Sequence, residues 1–229
     1  MDVKLYKVGG FVRDQILGIP SKDIDYAVEA NSYEIMKQYI LDKGGKIYLE
    51  SPGYLTIRAK LNNEDADFVL CRKDGSYHNG RHPDSVEIGD IYDDLVRRDF
   101  TMNAIAIKED GNYLDPYNGI QDIKDQVIRC VGSIDRLKED GLRLIRALRF
   151  SITKGFKLDN EIREFIQAET SIALSVMTNV SSERIMEELN KMFTKDTRLT
   201  LQIIQNYNLF FFGLFSMKDD LKFKTYVGK

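Results

Sequence analysis

The hydrophobic rhythm of the chain changes near residue 134. Before that point, short apolar runs of strand period alternate with stretches of helical period; after it the helical period prevails. Leu55 to Leu61 (Leu-Thr-Ile-Arg-Ala-Lys-Leu) alternates as a half-buried strand does, a turn follows at Asn62-Asn63, and Asp67-Phe68-Val69-Leu70-Cys71 supplies a second strand. A hairpin is predicted, with Asp67 opening its second strand. Residues 24–28, 103–107 and 127–131 predict further strands. Residues 11–17 predict a helix closed by Gly18, and residues 32–41 one that ends at Gly44-Gly45. In the second part Leu144, Ile145, Leu148 and Ile152 recur at helical spacing, and residues 160–168, 181–193 and 197–207 predict three more helices. Ser181 stands at an N-cap, with Glu183 in the first turn, where the helix dipole favours negative charge. The fold class expected is α+β: a mixed domain over residues 1–133, then an all-helical domain over residues 134–229.

Composition narrows the function classes. A chain of 229 residues can bury one large core or two modest ones. No apolar run approaches a membrane span, and the N-terminus lacks an apolar signal segment, so no membrane partner and a cytoplasmic location are expected. Cys71 and Cys130 show no Cys-X-X-Cys pattern, which fits a reducing compartment. His78 and His82 stand four apart in a Gly/Asn/Pro-bearing loop; a polar loop accounts for them better than a metal pair. The net charge of −3 conceals an asymmetry: residues 1–135 hold 17 basic and 24 acidic residues, residues 136–229 hold 16 and 12. An acidic first part suits a metal site, and a basic second part suits a polyanion.

Three segments concentrate the chemistry. In the first, Val8-Gly9-Gly10-Phe11-Val12-Arg13-Asp14 is followed by Asp23-Ile24-Asp25. Two carboxylates two residues apart share one face of a strand, and such a pair suits Mg²⁺, which takes one or two carboxylates and completes its shell with phosphate and water. Gly9 and Gly10, before a helix, offer bare N–H groups to phosphate. Asp67, on a neighbouring strand, could be a third carboxylate. In the second segment, Arg97-Arg98-Asp99-Phe100-Thr101-Met102-Asn103-Ala104, the arginines suit phosphate, Asp99 a ribose hydroxyl, and Asn103 the base or phosphates. In the third, Asp140, Arg143 and Arg146 recur every three residues, on one side of a predicted helix. A carboxylate acceptor beside guanidinium donors matches the edges of cytosine and adenine, and leaves groups unpaired against uracil and guanine. Each segment alone also fits a solvated turn, a charged helix end or a surface ladder of ion pairs.

Together they are more specific. Gly-Gly-X-Val-Arg-Asp with Asp-X-Asp, then Arg-Arg-Asp-Phe-Thr-X-Asn-Ala, Asp-Pro-Tyr-Asn-Gly (115–119), Glu-Asp-X-X-Arg (139–143) and Ser182-Glu183-Arg184-Ile185 resemble, in order, the class II tRNA nucleotidyltransferase and bacterial poly(A) polymerase family. The resemblance implies a nucleotidyltransferase head with a mixed β-sheet flanked by helices, followed by a helical neck. It implies that Asp23 and Asp25 hold Mg²⁺, with Asp67 as third carboxylate. It further implies that Gly9, Gly10 and Arg13 contact the triphosphate, that Arg98 and Asp99 meet phosphate and ribose, and that Asp140 and Arg143, with Arg146 nearby, select CTP and then ATP. The reaction implied is attack of an RNA 3′-hydroxyl, most naturally that of tRNA, on the α-phosphate with release of pyrophosphate. Family members usually continue into helical body and tail regions, which are expected to be absent here. The segment Arg72 to Pro83 resembles the loop used in switching from C to A addition. An A-only or poly(A)-adding enzyme, a non-catalytic RNA-binding relative and, at a distance, a phosphohydrolase are the competing readings.

Overall fold

The computed structural model describes residues 3–21, 23–75, 86–218 and 220–221. It divides into two compact units, the first holding most of residues 1–125 and the second residues 126–229. Most of the segment with His78 and His82 lies outside the described residues.

The first unit contains β1 (Lys4–Val8), α1 (Gly9–Ile16), β2 (Ile24–Glu29), α2 (Tyr33–Asp42), β3 (Lys46–Ser51), β4 (Thr56–Leu61), β5 (Glu64–Leu70), β6 (Arg72–Asp74), β7 (Val86–Ile88), α3 (Ile91–Val96), β8 (Ala106–Ile107), β9 (Tyr113–Leu114) and α4 (Gly119–Asp125). Seven of these strands form one mixed sheet in the order β3-β4-β5-β2-β1-β8-β9. Only β2 and β5 run parallel within it; the other neighbours are antiparallel. One face of the sheet is apolar because Ile24 and Val28, Ile57 and Leu61, and Phe68 and Leu70 alternate onto it, and Met36 and Ile40 of α2 complete that core. The alternate positions are left for polar residues, among them Asp25 on β2 and Asp67 on β5.

In this unit β1, β3 and the short β6, β7 and β9 add to the strands the pattern predicts. β1 is a central strand, its five residues lying immediately before the Gly-Gly pair. β3 is an edge strand with a largely exposed surface, so it carries no apolar alternation. Three expectations need correction. Asp67 sits in the middle of β5, because the turn at Asn62-Asn63 closes the hairpin directly and the strand starts at Glu64. Residues 103–107 are not one strand: a 3₁₀ turn runs over Thr101–Asn103, and only Ala106–Ile107 pair. Residues 127–131 pair only over Val127–Ile128.

The second unit contains β10 (Val127–Ile128), α5 (Asp135–Glu139), α6 (Leu142–Thr153), β11 (Lys157–Leu158), α7 (Asn160–Gln167), α8 (Thr170–Met177), α9 (Ser182–Lys195), α10 (Thr197–Asn206) and α11 (Asn208–Met217). It is helical apart from one short parallel ladder, β10 with β11. Helices α6 and α9 pack together, burying Leu144, Ile145 and Leu148 on one and Ile185, Leu189 and Met192 on the other. At their contact Glu188, almost fully buried, accepts from Arg149 and Lys191.

Candidate active site

β1 delivers Gly9 to its C-terminal end, and Val8 lies opposite Asp25 of β2. Gly9 begins α1, two residues earlier than the sequence pattern suggested, at a φ of +71° that side chains rarely adopt. A Cβ at this position would stand 3.0 Å from Arg98 Nη1 and 3.5 Å from Asp25 Oδ2. Glycine here lets a carboxylate and a guanidinium approach the chain at the start of a helix, where amide N–H groups point outward.

The parallel pairing of β2 with β5 sets Asp25 level with Asp67. On the other side of β5, Arg58 of β4 is level with Asp67. Asp23, Asp25, Asp65, Asp67 and Arg58 line a cleft of about 440 Å³. Burial pushes the Asp25 carboxyl above the usual range; Arg98 draws it down, and Asp67 and Asp23 push it up again. The Asp67 carboxylate is held by Arg58, Nε to Oδ1 at 2.8 Å and Nη2 to Oδ2 at 3.2 Å. Among the described residues no three His, Cys, Asp or Glu side chains converge as a ready metal cage. Asp23 and Asp25 nevertheless supply the two-carboxylate donor set that Mg²⁺ ordinarily takes from a protein.

The Arg-Arg-Asp-Phe-Thr-X-Asn-Ala segment follows α3. Arg98 donates through Nε and Nη2 to Asp94 Oδ2, at 3.0 and 2.7 Å, and through Nη1 to the Asn103 carbonyl at 3.3 Å. Arg97 holds the other oxygen of Asp94. Burial opposes the charge on Asp94, but Arg98 and Arg97 outweigh it and keep its carboxyl below the usual range. Arg13, Asn103 and Asp99, all buried, form one network: Arg13 donates to Asn103 Oδ1 at 2.6 Å, Asn103 Nδ2 to Asp99 Oδ1 at 2.9 Å. Arg13 also pairs with Asp14 at 2.9 Å. The first two motifs are thus bonded to each other, although 90 residues separate Arg13 from Asn103.

The Asp-Pro-Tyr-Asn-Gly segment has a structural task. Asp115 accepts from the amides of Gly119 and Ile120 at 2.7 and 2.9 Å, and a Cβ on Gly119 would meet the Thr101 carbonyl oxygen at 2.1 Å. Only glycine lets α4 approach the turn before Ala104 so closely.

In the second unit the predicted helical ladder needs correction. Asp140 is extended, ahead of α6, and shares no helix with Arg143. Its Oδ1 caps the Leu142 amide at 3.0 Å and its Oδ2 accepts from Arg184 at 3.0 Å. Arg143 donates to Glu139 at 2.9 Å and to the Arg136 carbonyl at 2.7 Å. Arg146 lies over the Phe150 ring. Gly141 is required by packing, since a Cβ would meet the Val176 carbonyl at 2.2 Å.

The sequence reading missed Asp94 and Arg58 as site residues. Both had a signal. Asp94 stands three and four residues before Arg97 and Arg98, the spacing of a helix face. A two-residue turn at Asn62-Asn63 requires Leu61 to pair with Glu64, and counting back from there puts Arg58 opposite Asp67.

Comparison with known proteins identifies the family. Residues 5–129 match the family described as poly A polymerase head domain, and residues 155–212 match one described as "probable RNA and SrmB-binding site of polymerase A". Over 221 residues the chain is 35% identical to a CCA-adding enzyme of Staphylococcus epidermidis, covering 93% of this chain and 53% of that protein. A crystal structure of the Bacillus stearothermophilus CCA-adding enzyme in complex with CTP superposes with a TM-score of 0.76 at 30% identity, covering 90% of this chain and 49% of the other. A tRNA nucleotidyltransferase complexed with a primer tRNA and an incoming ATP analog gives a TM-score of 0.76 at 27% identity, covering 97% and 61%. The chain spans about half the length of the curated relatives it matches.

Proposed function

Because the chain belongs to the poly A polymerase head-domain family, which includes the CCA-adding enzymes, we propose that it is an RNA nucleotidyltransferase that adds CMP and AMP to the 3′ end of tRNA. The observation that carries this reading is the level placement of Asp25 and Asp67 beside the glycine-opened start of α1. In the reaction, the RNA 3′-oxygen bonds to the α-phosphorus of CTP or ATP as the bond to the pyrophosphate oxygen breaks. Asp23 and Asp25 would hold Mg²⁺, which when bound supplies charge to activate the hydroxyl and stabilise the leaving pyrophosphate.

The remaining work falls to the chain's own groups. Gly9 and Gly10 present amide N–H groups to the triphosphate, and Arg98, fixed from behind by Asp94, presents its guanidinium beside them. Arg13, Asn103 and Asp99 keep these segments in register, with Asp99 and Asn103 toward the ribose and Arg13 toward the phosphates. In the second unit, Asp140 and Arg143 would read the base, with Arg146 nearby. Asp140 spends two acceptor sites on Leu142 and Arg184, and a carboxylate has about four, so it can still accept from an exocyclic amine. No helix among the described residues is long and apolar enough to cross a membrane. A tRNA substrate implies a cytoplasmic setting.

The test is a primer series. Transcripts ending before C, after C and after CC are incubated with Mg²⁺ and with CTP, ATP or both. Stepwise addition of C, C and A is expected. Addition of ATP alone to any RNA end would replace this reading with the A-adding one. No transfer to any primer, with RNA binding that is the same in Asp23→Ala, would point to a binding protein; transfer that survives Asp23→Ala would remove Asp23 from the metal site.

A further inference from the structure

The cleft beside Asp25 is acidic, and Arg58 is the only basic residue among the described ones that line it. Its guanidinium lies across Asp67 as a two-point fork, the strongest geometry this pair of groups can adopt. The pair of Arg98 with Asp94, in which both nitrogens donate to one oxygen, is buried instead. Asp94 is 1% exposed, so its hold on Arg98 is a permanent part of the frame. Arg58 is 59% exposed and Asp67 31%, and a solvated pair of this kind contributes about 0–1 kcal/mol, little enough to be exchanged for another cation. A divalent ion carries twice the charge of a guanidinium and would meet Asp25 and Asp67 on adjacent strands.

We propose that Arg58 is a resident counter-cation of the cleft, which neutralises Asp67 and competes with the divalent ion for it. It thereby sets the metal affinity of the site and decides whether Asp67 acts as a third ligand. This rests on the reading of Asp23 and Asp25 as metal ligands. The chemistry needs nothing further: in the metal-free state the fork compensates one of two neighbouring carboxylates, and on metal binding it opens without any covalent change.

Mn²⁺ binding to the full chain, followed by electron paramagnetic resonance, tests this without reference to activity. Removing the competitor in Arg58→Gln should tighten Mn²⁺ binding about five-fold, the factor equivalent to an exposed pair of about 1 kcal/mol. Arg58→Lys, which keeps the charge and loses the fork, should fall between. In an Asp67→Asn background the effect of Arg58→Gln should shrink, because the two residues act as a pair. Unchanged or weaker Mn²⁺ binding in Arg58→Gln, while Asp25→Asn abolishes it, would overturn the role of Arg58 alone. Binding that survives Asp25→Asn would overturn the metal reading and this proposal with it. In the unsubstituted protein, Mg²⁺ should move the Arg58 Nε–H resonance; a resonance unmoved at saturation counts against competition.

Discussion

At the scale of single residues, the site depends on positions where the ordinary side chain would not fit or would not stay charged. Gly9→Ala places a methyl 3.0 Å from Arg98 Nη1 on a backbone with φ of +71°. The left-handed conformation should cost about 1–2 kcal/mol in denaturant melts. The displaced guanidinium should raise KM for the nucleotide in steady-state kinetics. Asp94 makes a different argument. Its charge is stabilised by Arg97 and Arg98, so Asp94→Asn leaves two guanidinium groups facing a neutral amide. A loss of about 3 kcal/mol is expected, as for a buried ion pair deprived of one partner. Arg98 would then be free to swing, and the nucleotide KM should rise more than kcat falls. If kcat and KM were both unchanged in folded Asp94→Asn, Arg98 would not be a phosphate ligand.

At the scale of elements, the hairpin of β4 and β5 is the part most directly legible in the sequence. Asn62 and Asn63 both have positive φ, 52° and 64°, the geometry of a type I′ turn. Asn63→Gly should leave stability unchanged or raise it by up to about 1 kcal/mol, whereas Asn63→Val should lower it by about 1–2 kcal/mol, measured by urea unfolding. Four helices of the second unit, α6, α7, α9 and α10, were legible too, α6 from Leu144, Ile145 and Leu148 at their spacing, whereas α5, α8 and α11 were not predicted. What escaped has physical causes. The solvated edge strand β3 has no apolar alternation to show. The β10–β11 ladder is only two residues long on each side, and its pairing is between segments 30 residues apart. Asp140 matched a helical period by spacing alone, while its extended backbone is fixed by the Leu142 cap and Arg184, neither of which periodicity reveals. The contact of α6 with α9 carries a pH dependence. Burial raises the pKa of Glu188, but Arg149, Lys191 and Arg146 together hold it below its ordinary value of 4.5. A depressed folded pKa gives stability that is fully present above about that pH and is lost as pH falls through the lower folded value. Glu188→Gln should therefore cost about 3 kcal/mol at neutral pH and flatten the acid limb of the stability curve.

At the scale of the molecule, the proposed function assigns binding of charge to residues of the first unit and choice of base to residues of the second. Asp25→Ala should abolish incorporation of every nucleotide while leaving nucleotide discrimination meaningless to measure. Asp140→Ala or Arg143→Ala should leave incorporation measurable and reduce the preference for CTP and ATP over UTP and GTP by about ten-fold or more, the loss expected when a polar reading group is removed. Single-nucleotide incorporation rates decide this, and an unaltered preference in both variants would remove the second unit from base selection. The placement of Asp25 beside Asp67 has a consequence for how the chain reaches its native state. Parallel strands cannot be joined by a tight turn, so α2, β3 and β4 lie between β2 and β5, and the two acids become neighbours only by closing that long connection. A contact of such sequence separation is expected to form late, so the mutual repulsion of the two acids should speed unfolding rather than slow folding, and Asp67→Asn should slow unfolding in stopped-flow measurements. On a ribosome, the acidic cleft exists only once the chain has been made past Leu70.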